Sequence, residues 1–145
     1  MIKGVMLTPL SIVPVPEGDV LHAIRADSPG FRDFGEAYFS TVGHGRVKAW
    51  KRHRRMTLNI VVPVGEILFA IHDDREGSVS RGQTQSVILS RDNYRRLTVA
   101  PGLWMGFQGL EEGLNLLLNV ADLMHDPAEA DRLAPEAIAF DWETT

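Results

Sequence analysis

The richest chemistry in the sequence lies in a basic cluster at positions 48–55, which reads KAWKRHRR. Five of these eight residues are Lys or Arg, and the other three include His53 and the indole of Trp50. Guanidinium groups such as those of Arg52 and Arg54 chelate phosphate oxygens, and Lys supplies a point charge. An indole can stack on a flat base or sugar face. The basic cluster therefore suits a phosphate-bearing ligand.

Two other interpretations of the basic cluster stay open. A run of charges between two strands is often an exposed turn that serves only solubility. A nucleic-acid site would need further basic residues across the surface, because such binding depends on the number of phosphates that are neutralised. The whole chain carries a formal net charge of −4, so we expect no nucleic-acid partner.

A second polar group, His72 to Arg75, follows the apolar run EILFAI. Successive side chains on a strand point to opposite faces, so three neighbours do not converge easily on one ion. The five histidines form neither an H-x-H nor an H-E-x-x-H pair. We therefore expect no metal, with a metal site formed by His44, His53 and His72 as the rival hypothesis.

Short strands must position these side chains. The 13 Gly and 8 Pro residues are spread along the chain and leave short stretches between them, which favours strands over helices. Two of these stretches, TLNIVV and EILFAI, are joined by Pro-Val-Gly and predict a β-hairpin. The predicted strands are Phe34–Val42, Arg46–Trp50, Thr57–Val62, Glu66–Ile71, Gln85–Leu89, Arg96–Ala100, Leu103–Phe107 and Leu114–Val120, with weaker candidates near Val5 and Val20.

The segment Asp126–Asp131 predicts one short helix near the C-terminus. Asp126 is a suitable N-cap, and Pro127 occupies the first helical position. Many short strands with almost no helix indicate an all-β sandwich or closed antiparallel fold such as a jelly roll. The pattern alone does not separate these topologies.

Length and composition exclude several classes of protein. A chain of 145 residues, 44% of them hydrophobic, predicts one domain over residues 1–145 whose core needs neither disulfides nor a structural metal. The absence of Cys excludes thiolate zinc sites, iron-sulfur clusters and cysteine nucleophiles. The sequence contains no apolar run of about 18 residues and no secretory signal pattern. We expect a cytoplasmic protein without a membrane partner.

Five motifs follow one another along the chain: FGEAYFS, GRVKAWK, VPVGEILFAIHDDR, LSRDNYRRLTVAPGLWMGF and HDPAEA. Their order resembles the dTDP-4-dehydrorhamnose 3,5-epimerase family of cupins from about Asp19 to Trp142. The most specific parts are the G-E-strand-D-x-R block at Gly65–Arg75 and the Asn-Tyr, Pro-Gly and Gly-Phe block at Asn93–Phe107. The resemblance implies an all-β, double-stranded β-helix (jelly roll) with a short C-terminal helix.

The resemblance also implies a homodimer that binds a nucleotide-linked 4-keto sugar without a metal or other cofactor. In this chemistry a base removes a C–H proton beside the ketone, and an acid returns a proton on the other face. The family's Arg-Gly-Leu-His strand falls on Lys48 to Lys51, which puts Lys51 at the position of the base. The family's second His falls on Met105, and its catalytic Tyr falls on Met124 or His125.

Further matched positions imply substrate contacts. Glu36 takes the place of a substrate-contacting Gln, and Arg75 keeps its framework position. The basic cluster would hold the diphosphate at the mouth of the barrel, and Trp104 belongs to an apolar strand that lines a core or a cavity. The predicted substrate-binding residues are Glu36, Lys48, Trp50, Arg52, Arg54, Arg75 and Trp104.

The identity of the base stays open. Lowering the pKa of a lysine from about 10.4 to about 7 takes roughly 4 kcal/mol, which burial and neighbouring cations can supply at Lys51. Alternatively, Lys51 is a charged clamp and His53 or His72 is the base, because free histidine titrates near neutral pH. Lys48 and Lys51 share one face only if a bulge or strand end separates them. The predicted catalytic residues are Lys51, His53, His72 and His125.

The leading hypothesis is a divergent nucleotide-sugar epimerase or keto-isomerase of polysaccharide biosynthesis. The alternative is a cupin that binds a sugar nucleotide, or assembles with a partner, without doing chemistry. The alternative is motivated by the two acid-base positions, because both differ from the residues of the family.

Overall fold

The protein, which we describe from a computed structural model of residues 1–144, contains twelve short strands. Of the predicted 1–145 domain, Thr145 lies outside the described residues. The strands are β1 Val5–Pro9, β2 Ile12–Val13, β3 Val20–Leu21, β4 Glu36–Thr41, β5 Val47–His53, β6 Leu58–Val64, β7 Glu66–His72, β8 Thr84–Ser90, β9 Arg95–Val99, β10 Trp104–Gly109, β11 Leu116–Ala121 and β12 Ala130–Arg132. Two 3-10 helices span Pro127–Glu129 and Pro135–Ala137.

The strands form two five-stranded antiparallel sheets and one small ribbon. The first sheet has the order β1-β9-β6-β11-β4, the second has the order β12-β5-β10-β7-β8, and β2 pairs with β3. The all-β jelly roll is therefore confirmed. The predicted C-terminal helix is the 3-10 turn Pro127–Glu129, in which Asp126 Oδ1 accepts the Ala128 N–H at 3.0 Å, as its N-cap position predicts.

The predicted hairpin between residues 57–62 and 66–71 is wrong, although both strands exist. Strand β6 pairs with β9 and β11, whereas β7 pairs with β8 and β10 in the other sheet. Only Gly65 separates them, which is one residue fewer than the shortest common hairpin loop contains. Gly65 has a φ of +82°, and a Cβ there would lie 2.3 Å from the Leu114 carbonyl oxygen. The chain therefore crosses from the first sheet to the second at this glycine.

Two hydrophobic cores hold the sheets. The main core fills the space between them with inward residues of both, among them Ile60, Ile67, Phe69, Ile71 and Leu97. A smaller core lies on the outer face of the second sheet, where a C-terminal segment packs against it; its members are Trp50, Ala70 and Trp104, covered by Ile138, Phe140 and Trp142. The second sheet is thus buried on both faces along β5, β7 and β10.

A buried carboxylate ties the loop after β7 to the N-terminus. Asp73 has no exposed surface and accepts hydrogen bonds from Arg75 Nε at 2.9 Å and from the Ser78 and Ser80 hydroxyls at 2.6 Å. Arg75 also donates to the Lys3 carbonyl at 2.6 Å. Arg75, for which a substrate contact was predicted, therefore has its guanidinium hydrogen-bonded to Asp73 and Lys3.

We expect Asp73→Asn to lower the free energy of unfolding by about 3 kcal/mol at pH 7, since it breaks a buried ion pair. The hydrogen bond from Arg75 outweighs the opposing effect of burial and, with the two serines, holds the pKa of Asp73 far below its usual range. The stabilisation is complete above the unfolded pKa of about 3.9 and declines as pH falls below it.

Denaturant titration at neutral and at acidic pH measures this effect. The gap between wild type and Asp73→Asn should shrink by about 1 kcal/mol near pH 3, because the unfolded carboxyl is then mostly protonated. Asp27→Asn is the control, since the Arg25–Asp27 pair has side chains 74% and 71% exposed and contributes at most about 1 kcal/mol. A gap that is the same at both pH values would contradict the prediction.

Candidate functional site

A cavity of about 610 Å³ opens between the two sheets, a volume that suits a small-molecule ligand. Apolar side chains of both sheets line part of it, including Leu58, Ile60, Met105, Phe107 and Leu117. Its polar groups are Tyr38, Ser40 and Asn119 from the first sheet, and Lys48, Lys51, His53 and Arg132 from the second. The cavity therefore combines an apolar lining with polar groups on two facing walls.

A β-bulge brings the two lysines of the basic cluster into the cavity. Lys48 pairs with Phe107 and Lys51 pairs with Met105, so two residues of β5 face the single residue Gly106 of β10. Because of this bulge, Lys51 lies on the same face of the strand as Lys48. Without it, two residues three positions apart would lie on opposite faces. The bulge that Lys48 and Lys51 need in order to share a site is therefore present. His53, two residues further along, lies on the same face.

His53 contacts the buried carboxylate of Glu129. Strand β12 pairs with β5 so that Ala130 lies opposite His53, and the 3-10 turn before β12 places Glu129 beside the ring. The Nδ1 atom of His53 hydrogen-bonds Glu129 Oε1. Both side chains are buried, with 9% and 3% of their surfaces exposed. Such a pair fixes the orientation of an imidazole.

The hydrogen bonds around Glu129 keep it ionised. Its Oε2 accepts the backbone N–H groups of Arg55 at 3.1 Å and Met56 at 3.2 Å. Burial raises the pKa of Glu129, but the hydrogen bonds from His53 and from these two amides outweigh burial and lower it. An ionised Glu129 is an acceptor, so we assign the Nδ1 proton to the shared bond. The Nε2 atom of His53 makes no hydrogen bond within residues 1–144, so its lone pair is available to a ligand.

The cavity also holds uncompensated positive charge. Burial and the neighbouring Arg132 lower the pKa of Lys51, against the opposing effects of Glu129 and Glu36. Within residues 1–144, no carboxylate lies within ion-pair distance of Lys48, Lys51 or Arg132. Lys48 Nζ donates to the Thr41 carbonyl at 2.7 Å. These cations make the cavity a suitable site for an anion.

The structure places Arg52 and Arg54 outside the cavity. Asp131 accepts Arg52 Nη2 at 2.9 Å and Arg54 Nη2 at 2.6 Å. These two hydrogen bonds, from Arg54 first and then Arg52, lower the pKa of Asp131 to about 2. The guanidinium carbon of Arg52 also lies 4.4 Å from the ring centroid of Trp104. Both guanidinium groups are therefore paired on the outer face, whereas the sequence predicted them at a diphosphate.

The two predicted indoles are likewise committed to the smaller core. Trp50 borders the cavity, but its ring is buried against Phe140 and Trp142, and its Nε1 donates to the Pro135 carbonyl at 3.1 Å. Trp104 Nε1 donates to Asp74 Oδ2 at 2.9 Å. Neither ring is free to stack on a base or sugar in the cavity, because the C-terminal segment covers their face of the sheet.

Three further predicted residues also lie outside the cavity lining. His72 is in register with Trp104 and so projects from the outer face, where its Nδ1 hydrogen-bonds Thr84 Oγ1 at 2.8 Å. His125 is exposed in the loop before the first 3-10 helix. Glu36 begins β4 and is close enough to raise the pKa of Lys51, but it is not part of the lining.

The residues of the rival metal hypothesis do not converge. His44 lies outside the cavity lining, and His53 and His72 project from opposite faces of the second sheet. Within residues 1–144, no group of three His, Asp or Glu side chains has the arrangement of a metal site.

Four polar residues of the cavity lining were not predicted from the sequence: Tyr38, Ser40, Asn119 and Arg132. Glu129, which contacts His53 from outside the lining, was not predicted either. The sequence marks Glu129 only as an acidic residue in a helical first turn. Its partner His53 lies 76 positions away, and no local pattern links residues at that separation. The strand pair β5–β12 is the structural feature that reveals it.

The chain is similar to several known proteins over nearly its whole length. The chain is 43% identical to a dTDP sugar isomerase of Desulfovibrio desulfuricans G20, over 97% of this chain and 92% of that one, with a TM-score of 0.94. It is 27% identical to a probable low-salt glycan biosynthesis epimerase of Haloferax volcanii, over 97% of this chain and 89% of that protein. It is 26% identical to a spore coat polysaccharide biosynthesis protein of Bacillus subtilis, over 99% of this chain and 98% of that protein.

No helix in the described part of the chain is long and apolar enough to span a membrane.

The model of the dTDP-4-dehydrorhamnose 3,5-epimerase family matches residues 48–145. That range holds the basic cluster, the His53–Glu129 pair and β12. The chain belongs to the dTDP-4-dehydrorhamnose 3,5-epimerase family.

Proposed function

We propose that the protein is a nucleotide-sugar epimerase or keto-isomerase that removes a proton from a carbon beside a 4-keto group. The observation that carries this proposal is the His53–Glu129 pair, whose His53 lines a cavity together with the unpaired cations Lys48, Lys51 and Arg132. The names of the glycan and spore coat relatives support a place in polysaccharide biosynthesis.

The geometry favours His53 over Lys51 as the base. His53 has a free Nε2 lone pair, and the ionised Glu129 stabilises the imidazolium that forms when it takes a proton. As the C–H bond breaks, its electron pair becomes part of the enolate double bond and negative charge moves to the ketone oxygen. Lys51, two residues along the same face, can donate a hydrogen bond to that oxygen. Lys51 is then an electrophile at the family's base position.

The remaining cations suit the diphosphate of a nucleotide sugar. Arg132 lies in register with Lys51, and Lys48 stands on the other side of the bulge. A diphosphate held by these two groups would leave the sugar ring near His53. No metal is needed for the charge balance of this scheme.

The His53–Glu129 pair predicts a clear order of mutational effects. In deuterated water, NMR of dTDP-4-keto-6-deoxyglucose should show exchange at C3 or C5 with wild type and none with His53→Asn. Glu129→Gln should slow exchange by about 100-fold or more, because it removes the charge that stabilises the imidazolium. His72→Asn and His125→Asn are matched controls and should exchange at the wild-type rate, since neither residue lines the cavity.

Other outcomes would change the assignment. Exchange that survives His53→Asn but disappears in Lys51→Ala would make Lys51 the base. Wild-type protein that binds dTDP sugars and their CDP and GDP analogues but exchanges none of them would support the alternative, a sugar-nucleotide-binding or assembly cupin without chemistry.

The unpaired cations predict the salt dependence of ligand binding. We expect Lys48→Met and Arg132→Met each to raise the Kd for dTDP by about tenfold, or about 1.4 kcal/mol. The salt dependence should also weaken, because one charge contact with the diphosphate is lost. Calorimetry at low and high ionic strength measures both effects. The control is Arg54→Met, whose guanidinium is paired with Asp131; an equal loss of affinity in this variant would contradict the prediction.

We also propose the homodimer that the resemblance implies. Phe39 on the edge strand β4 is 66% exposed, and nearby Phe34 is 62% exposed. Large apolar side chains at a sheet edge are a surface that a second copy can cover. Sedimentation equilibrium should give a dimer for wild type and a shift toward monomer for Phe39→Glu, with Val79→Glu, at an 85% exposed loop residue, as control. A wild-type monomer would contradict the proposal.

A further inference from the structure

Inverting a carbon requires a proton donor on the face opposite the base. The His53–Glu129 pair can transfer a proton at only one face of the carbon. The family's second acid-base residue falls on Met124 or His125, which lie outside the cavity lining, and Met124 is 74% exposed. A donor for the other face must therefore come from a different part of the chain.

Tyr38 is the phenol that lines the cavity on the wall opposite His53. It lies on β4 in the first sheet, whereas His53 lies on β5 in the second. Its cross-strand partner is Asn119 of β11, and Asn119 Nδ2 donates to the Tyr38 hydroxyl oxygen at 3.1 Å. The hydroxyl group is thus held in place at the cavity wall.

The orientation of Asn119 leaves the proton of Tyr38 free. The Asn119 side chain is buried, and its Oδ1 accepts the Asn59 backbone N–H at 3.3 Å. Its amide therefore presents N–H to the phenol, and the phenol oxygen is the acceptor. Within residues 1–144 the Tyr38 O–H has no acceptor. Its proton is available to a ligand in the cavity.

We propose that Tyr38 is the catalytic acid that completes the inversion, an assignment that rests on the proposed function. His53 Nε2 takes the proton from one face of the carbon and leaves an enolate. The Tyr38 O–H bond then breaks, its proton bonds to the opposite face of that carbon, and the ketone re-forms. Water returns a proton to the phenolate and takes one from His53.

The surroundings of Tyr38 suit this role. The Asn119 N–H stabilises the phenolate that forms when the proton leaves. Ser40, the other hydroxyl on this wall, accepts from Lys48 Nζ at 3.3 Å and is a much weaker acid than a phenol. The two proton-transfer groups then approach the sugar ring from the two sheets of the jelly roll.

The experiment that tests this assignment compares exchange with inversion in Tyr38→Phe, using the 4-keto sugar in deuterated water. Abstraction does not need Tyr38, so deuterium should enter the substrate within about threefold of the wild-type rate. Inversion should fall by about 100-fold or more. Tyr94→Phe is the matched control, because the Tyr94 hydroxyl donates to the His22 carbonyl outside the cavity. Affinity for dTDP should be unchanged in both variants.

Two outcomes would overturn the assignment. Inversion at the wild-type rate in Tyr38→Phe would show that another group delivers the proton. Loss of exchange together with inversion, with dTDP affinity intact, would place Tyr38 in enolate formation instead. Wild-type protein that shows neither exchange nor inversion would overturn the proposed function itself, which separates that failure from the failure of Tyr38.

Discussion

The pairing of β12 with β5 determines how charge is distributed across the second sheet. Three residue pairs lie in register, Ala130 with His53, Asp131 with Arg52, and Arg132 with Lys51. Because side chains alternate between faces, Asp131 neutralises arginines on the outer face while Arg132 joins Lys51 in the cavity. One antiparallel contact therefore leaves the outer face balanced and the cavity positive. The residue just before β12, Glu129, then completes the site.

Burial of Glu129 would be costly if its charge were not satisfied. Its two oxygens accept three hydrogen bonds, from the His53 ring and from the amides of Arg55 and Met56. Two of these donors are backbone groups of the turn after β5, so the local fold itself provides the compensation. These hydrogen bonds offset the cost of burying the Glu129 carboxylate. They also keep it ionised and hold its negative charge beside His53.

The strands and the all-β class could be predicted from the sequence because Gly and Pro mark the strand ends, whereas the jelly roll was implied by the family resemblance. The pairing of the strands could not be predicted. The residues around Gly65 look like a hairpin locally, yet the two strands belong to different sheets, since the apolar residues on each find partners far along the chain. The site divides in the same way. Lys48, Lys51 and His53 are neighbours in sequence and were predicted, whereas Glu129 and Asn119 reach them only through β12 and β11. Trp50 was misplaced because nothing local indicates that residues 138–142 cover its face.

The resemblance implies that this chain differs from its family at the acid-base positions, and our proposal gives this difference a geometric interpretation. Moving the base from position 51 to His53 is a step of two residues along one strand, which keeps the side chain on the same face. Its carboxylate partner, Glu129, comes from the 3-10 turn just before β12. Position 51, which holds the base in the family, holds Lys51 here, and in our proposal Lys51 donates a hydrogen bond to the ketone oxygen. A donor on β4 lies across the cavity from all of these groups, so the separation of base and acid is set by the packing of the two sheets. In our proposal, the base can therefore be a different residue of the same strand while the jelly roll stays unchanged.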